Sequence, residues 1–223
     1  MRQHNQRGWL MPYLVLIGDL IASRQSQNRK DLQIRLRTIL TKLNGRMPKP
    51  VSPYTLTLGD EFQAVFNTAD HVFDDMVQIM EALHPDQVRF SLGLGNITTD
   101  LNLEQALGMD GPAFYRAREG IDRLKDNGDL LHLDGLPDDC ALLAEGALRL
   151  LSQRIQKWEA NRFAILHGLL VGEPVKTIAA RLSVSEQAVY KNIRNGGLGA
   201  VIQVLSSLTE LLDNCLAEDG PTE

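Results

Sequence analysis

Asp19 closes the apolar run "YLVLIGD", and Asp60 and Glu61 follow Gly59 inside "YTLTLGDEFQAVF". Carboxylates are hard oxygen donors. Two of them brought to the ends of neighbouring strands suit Mg²⁺ or Mn²⁺, an ion that can in turn carry the phosphates of a nucleotide. The stretch "LIASRQSQN" after Asp19 offers backbone N–H groups, Ser23 and Arg24 to phosphate oxygens at the start of a helix. The alternative is that each Gly-Asp pair marks a tight turn, since both residue types are turn formers. Asp19 and Asp60 form a site only if the fold makes their strands neighbours.

The patterning predicts that it does. "YLVLIGD" (13–19) is a short aliphatic run without alternation, as in a strand buried on both faces. Leu32, Leu36, Ile39, Leu40 and Leu43 then recur at helical spacing up to Gly45. The Pro-rich "MPKPVSP" leads into two strand-like halves around Leu58-Gly59-Asp60-Glu61, a hairpin. A second helix follows, with Asn67 or Thr68 as its cap, Val72, Met76, Ile79, Met80 and Leu83 on its apolar face and Pro85 as its stop. "QVRFSLGLG" (87–95) is a further strand. The order β-α-β-β-α-β is the split-βαβ arrangement of ferredoxin-like domains. Beyond it the pattern predicts a short helix at 102–107, a longer one at 112–125 and an edge strand in "DLLHLDGL".

The helical stretch from Asp138 is too long for one element, and a domain boundary is expected in it near residue 150. This gives a palm domain over 1–150, an all-α domain over 151–216 and a frayed tail over 217–223. The net charge of −5 excludes a chain that is basic throughout. Cys140 and Cys215 are far apart and lack His neighbours, which argues against a disulfide framework or a zinc site and for a reducing cytoplasm. No run reaches the ~18 apolar residues of a membrane span.

"VKTIAARLSVSEQAVYKNIRNGG" has the layout of a helix-turn-helix. Ile178, Ala179 and Leu182 face inward from the first helix, Ser183-Val184 turn, and Val189 and Ile193 face inward from the second. Ser185 is placed to cap the second helix, with Glu186 in its first turn. Gln187, Tyr190, Lys191 and Arg194 then point outward, a set suited to base edges and phosphates in a major groove. From Arg154 to Gly196 seven Lys/Arg stand against three Asp/Glu, a basic island in an acidic chain. DNA is therefore the expected partner of residues 174–195. The apolar stripe Val201, Val204, Leu205, Leu208, Leu211 and Leu212 that follows closes the small domain's own core or forms a two-fold homodimer contact.

The region around "VKTIAARLSVSEQAVYKNIRNGG", about 35 residues, resembles the helix-turn-helix of sigma-factor region 4 and of response-regulator output domains. "IGD" with "LGDEFQAVF" resembles the palm core of class III nucleotidyl cyclases and GGDEF diguanylate cyclases. That resemblance implies Asp19 and Asp60 as metal ligands, Leu20 as a backbone-carbonyl ligand, and Gly59 and Glu61 beside the nucleotide. "GPAFYRAR" looks like the cyclase helix that follows the fourth strand, with Arg118 matching a transition-state arginine. The whole chain looks like the SatD family through "GDLIASR", "TLGDEFQAVF", "GMDGPAFYRAR" and the C-terminal helices. It departs from working cyclases in three places: Thr and Leu stand where a base-selecting Lys belongs, Phe114 or Tyr115 where an Asn belongs, and Leu58 where the diguanylate-cyclase hairpin has its first glycine.

The expectation is an α+β protein, a ferredoxin-like palm domain followed by an all-α helix-turn-helix domain, that binds DNA and senses a nucleotide with Mg²⁺. The competing readings are an active nucleotidyl cyclase or transferase, and a partner-binding module whose acids are turn formers. Asp110, Arg116 and Arg118 either line the pocket or form a solvated helix face.

Overall fold

The computed structural model describes residues 11–21, 29–57 and 60–217. The strands are β1 (Tyr13–Leu20), β2 (Ser52–Leu56), β3 (Glu61–Phe66), β4 (Val88–Gly95) and β5 (Leu131–Asp134). The helices are α1 (Arg29–Asn44), α2 (Val72–Leu83), α3 (Pro112–Asn127), α4 (Asp138–Ile155), α5 (Ala160–Leu170), α6 (Val175–Arg181), α7 (Glu186–Gly196) and α8 (Leu198–Ala217).

The sheet runs β2-β3-β1-β4-β5, antiparallel except for the parallel β4/β5 edge. Its first four strands have ferredoxin-like order, so β1 lies between β3 and β4. The period-2 alternation of β1 sorts its side chains between two cores. Leu14, Leu16 and Leu20 join the leucines of α1 and the apolar face of α2, while Val15 and Ile17 join Ala113, Phe114, Ala117 and Ile121 of α3. α3 packs very close to the sheet: a Cβ on Gly93 would lie 2.2 Å from the Ala113 carbonyl oxygen and 2.6 Å from the Ala117 nitrogen. Only glycine fits there.

The first of these cores does not stop at the sheet. It includes Leu148 and Ile155 of α4, Phe163 and Leu166 of α5, Val189 of α7, and Val201, Leu205, Leu208 and Leu212 of α8. The stripe on α8 is thus spent within its own chain, with Val204 and Leu211 packed at its margin.

Several elements depart from expectation. Residues 102–107 form no helix, because the Asn102 carboxamide oxygen accepts from the Glu104 and Gln105 amides, each at 3.1 Å, and holds a turn instead. α2 starts at Val72, past the expected cap at Asn67 or Thr68. The Thr68 hydroxyl donates to Asp213 at 3.0 Å, and the Ala69 amide donates to the same oxygen at 2.6 Å. An acid from α8 thereby serves the approach to α2. α4 continues unbroken through residue 150, and the chain breaks at 156–159 before α5. α8, at 20 residues and mean hydropathy 1.2, is long and apolar enough by length and composition to cross a membrane. Its scattered Gln203, Ser206, Ser207 and Thr209 hid this in the sequence, where no continuous apolar run stands out.

Candidate functional site

The register of the sheet builds the site. Asp19, at the end of β1, is directly opposite Glu61 on β3 and Arg89 on β4, so all three side chains lie on the face covered by α3. The Arg89 guanidinium donates to the Asp19 carboxylate at 3.0 Å. From α3, Arg118 donates to the Glu61 carboxylate, which also accepts from the Thr57 hydroxyl at 3.2 Å. Arg118 and Lys125 are seven residues apart and so share a helix face. Asp60 belongs to the hairpin, and its carbonyl accepts from the Leu20 amide at 3.2 Å. The backbone itself joins the end of β1 to the hairpin.

Asp19 is buried at 9% exposure, and burial raises its pKa above the usual carboxylate range. Lys125 and Arg89 pull it back down, and the negative charge of Asp60 pushes it up again. Two cations therefore leave the Asp19 anion incompletely compensated. On the Arg118 side, the hydrogen bond to Glu61 raises the arginine's pKa further. Arg89 Nε is buried without a hydrogen-bond partner among the described residues.

The structure thus brings Asp19, Leu20, Asp60, Glu61 and Arg118 to one end of the sheet. Ser23, Arg24 and Gly59 lie outside the described residues, as does Leu58. Arg116 stands apart: it donates to the Leu94 carbonyl at 2.5 Å and ties α3 to β4. Asp110 accepts from the Tyr115 hydroxyl at 2.8 Å. Arg89 and Lys125 were not foreseen. Strand alternation in "QVRFSLGLG" carries the signal for Arg89, since Phe90 and Leu92 face the first core; nothing local marks Lys125.

As donors for a hard cation, Asp19 and Asp60 have the right chemistry, and the cost of holding the Asp19 anion beside Asp60 is one that a divalent ion would relieve. They do not make a closed cage: no group of three or more His, Cys, Asp or Glu that could hold a metal ion occurs among the described residues. An ion here would need further oxygens from the Leu20 carbonyl, a ligand phosphate or water.

At the other end of the chain, α6 and α7 are joined by a tight turn in which Ser183 adopts φ 54°. The Ser185 hydroxyl accepts from the Ala188 amide at 3.2 Å, capping α7. Ile178, Ala179 and Val189 are buried where the two helices meet, whereas Ser185, Gln187, Tyr190, Lys191 and Arg194 are all exposed. Part of the basic island is internal bracing. Arg154 donates to the Gly196 carbonyl at 3.1 Å, Arg162 to Asn192 at 3.3 Å, and Arg181 to Glu173 at 2.8 Å.

Among solved structures, a microbial GGDEF domain described in its interaction with bis-(3′,5′)-cyclic di-GMP matches at 18% identity and a TM-score of 0.37, covering 58% of this chain and 80% of its own. A guanylyl cyclase domain of the RhoGC fusion protein from Blastocladiella emersonii matches at 18% identity and a TM-score of 0.39, covering 56% and 79%. A regulator of polyketide synthase expression from Bifidobacterium adolescentis covers 95% of this chain and 88% of its own at 13% identity and a TM-score of 0.23. A search of curated proteins found no match. The model of the SatD family matches residues 13–211, nearly the whole chain, and the chain belongs to that family.

Proposed function

We propose that the chain is a DNA-binding regulatory protein whose sheet domain binds a nucleotide together with Mg²⁺ or Mn²⁺ at the Asp19 end of β1. The observation that carries this reading is the meeting of Asp19, Asp60 and Glu61 with Arg89, Arg118 and Lys125 at one sheet end. Acids and bases interleaved in this way suit a metal–triphosphate pair. Asp19 and Asp60, with the Leu20 carbonyl, would hold the ion, which supplies charge neutralisation to the phosphates. Arg118 would exchange the Glu61 carboxylate for a phosphate oxygen, and Ser23, Arg24 and Gly59 would lie along the phosphate path.

In this reading the palm region spans residues 1–150 and the helical region 151–216, with α6 and α7 as a helix-turn-helix. Gln187 and Arg194 meet base edges, and Ser185, Tyr190 and Lys191 meet the backbone. The route between the regions is α2, which packs against α5 and carries Asp74 at 2.6 Å from the His167 imidazole. A ligand that shifts α2 shifts α5, and with it the recognition helices. Cytoplasmic placement accords with this role.

Thermal unfolding with ATP or GTP and Mg²⁺ tests the ligand. Stabilisation is expected, and Asp19→Asn and Asp60→Asn each remove it. A temperature shift that survives both substitutions, or no shift with any nucleoside triphosphate, overturns the site. For DNA, Lys191→Ala with Arg194→Ala should abolish a salt-sensitive gel shift. A catalytic reading is favoured only by Arg118, which reaches from α3 to the hairpin. Chromatography of a nucleotide incubated with the chain distinguishes turnover from sensing.

A further inference from the structure

Resting on the DNA-binding reading, we infer that the outer face of α1 binds the phosphate backbone of the duplex that α6 and α7 engage. Residues 29–49 hold seven Lys/Arg and one acid, a net of +6 in a chain of net −5. Three of the seven are engaged inside the fold. Arg35 pairs with Asp31 at 3.0 Å and Asp86 at 2.8 Å, Arg46 pairs with buried Asp75 at 2.5 Å, and Lys42 donates to the Gln78 carboxamide at 2.8 Å. The other four, Arg29, Lys30, Arg37 and Lys49, are exposed and meet no acid among the described residues.

Helix periodicity gathers two of these cations into a ridge. Leu32, Leu36, Ile39, Leu40 and Leu43 are buried, which turns Lys30, Ile34, Arg37 and Thr41 outward together. Lys30 and Arg37 are about 10 Å apart along the axis at 1.5 Å per residue, the rise of about three phosphates on one DNA strand. Thr41 adds a hydroxyl of the kind that contacts phosphate oxygens. The cations do nothing for the helix itself: Arg29 and Lys30 stand at the end where the macrodipole favours acids, and a bound polyanion would relieve that conflict. Anionic lipid is the poorer occupant. An interfacial helix must bury an apolar face, and that of α1 is already in the core, leaving Ile34 alone on the ridge. The helix-turn-helix is also next to α1. Ile39 and Lys42 of α1 and Arg181 of α6 line one groove, so a single duplex can reach both.

The salt dependence of binding to a long duplex of mixed sequence, measured with the full chain, tests the inference. Each phosphate contact adds ~0.9 to the slope of log affinity against log salt, so Lys30→Gln and Arg37→Gln should each lower it by ~0.9 and together by ~1.8. Both positions are exposed, so the variants fold, which circular dichroism checks. Arg123→Gln, which removes an exposed cation from α3, should leave the slope unchanged. An unchanged slope in the Lys30–Arg37 double variant overturns the contact. So does an equal loss in Arg123→Gln, which would reduce the effect to net charge. Binding to phosphatidylserine vesicles that the double variant abolishes, with its DNA binding intact, overturns the contact in favour of a membrane. The two DNA readings fail separately. If Lys191→Ala with Arg194→Ala removes DNA binding and the α1 variant changes nothing, only the α1 contact falls; the reverse result supports α1 and overturns recognition by α7. A wild-type chain that binds no duplex overturns both.

Discussion

Arg118 on α3 and Glu61 at the start of β3 form an ion pair across one face of the sheet. The Arg118 side chain is 46% exposed and that of Glu61 14%, so the pair contributes at most ~1 kcal/mol to stability. Arg118→Ala should therefore leave the urea midpoint nearly unchanged while cutting the nucleotide-induced thermal shift by at least half. A full shift in Arg118→Ala removes this arginine from phosphate binding.

Asp75 on α2 is fully buried, 2.8 Å from the Tyr54 hydroxyl and 2.5 Å from Arg46. Burial pushes its pKa up to about 7, while Arg46 and Tyr54 oppose the rise. The folded chain therefore keeps a proton that the unfolded chain releases near 3.8. Stability from this group is fully present below that value and is lost as pH rises through about 7. At about 1.4 kcal/mol per pKa unit the effect amounts to a few kcal/mol. Between about pH 5 and pH 8 the wild-type urea midpoint should fall relative to that of Asp75→Asn, which has no proton to lose. Parallel slopes would assign the pH dependence to other groups.

Asp213 accepts from the Ala69 amide and the Thr68 hydroxyl and so fastens α8 to the approach of α2. Asp213→Ala leaves a partly buried amide without its acceptor, at a cost of ~1–3 kcal/mol. Denaturant unfolding should show this loss, and Asp213→Asn, which keeps an acceptor, should recover part of it.

Ser185 carries a share of the fold that Lys191 does not. Ser185→Ala removes the cap of α7 and should cost ~1 kcal/mol of stability. Lys191→Ala should leave the thermal midpoint unchanged while reducing the slope of log affinity against log salt by ~1. An unaltered salt slope would mean that Lys191 touches no phosphate.

How far the sequence speaks for the structure depends on the range of the forces involved. The order β1-α1-β2-β3-α2-β4 is legible because strand and helix periodicities are local, and Ser185 is legible as a cap because capping spans three residues. Asp19 and Asp60 could be paired because β-α-β-β-α-β makes their strands neighbours. What stayed hidden is what other elements bring. Arg89 reaches Asp19 from β4, Lys125 acts on it from α3, and Asp213 arrives at α2 from 144 residues away in sequence. The turn at 102–107 was missed for a different reason: one Asn side chain outcompeted a helical composition at short range.

α2 buries Val72, Met76, Ile79 and Leu83 in a core that joins the sheet to α5 and α8. Two independently stable domains would meet along that line through a more polar seam, because each would face water on its own. Here the seam is apolar from both sides, closed by Asp213 at one end and by the Asp74–His167 contact along its length. The two regions therefore share one wall: a substitution on the α5 side limits which side chains α2 can carry, and separating either region would expose the other's hydrophobic flank.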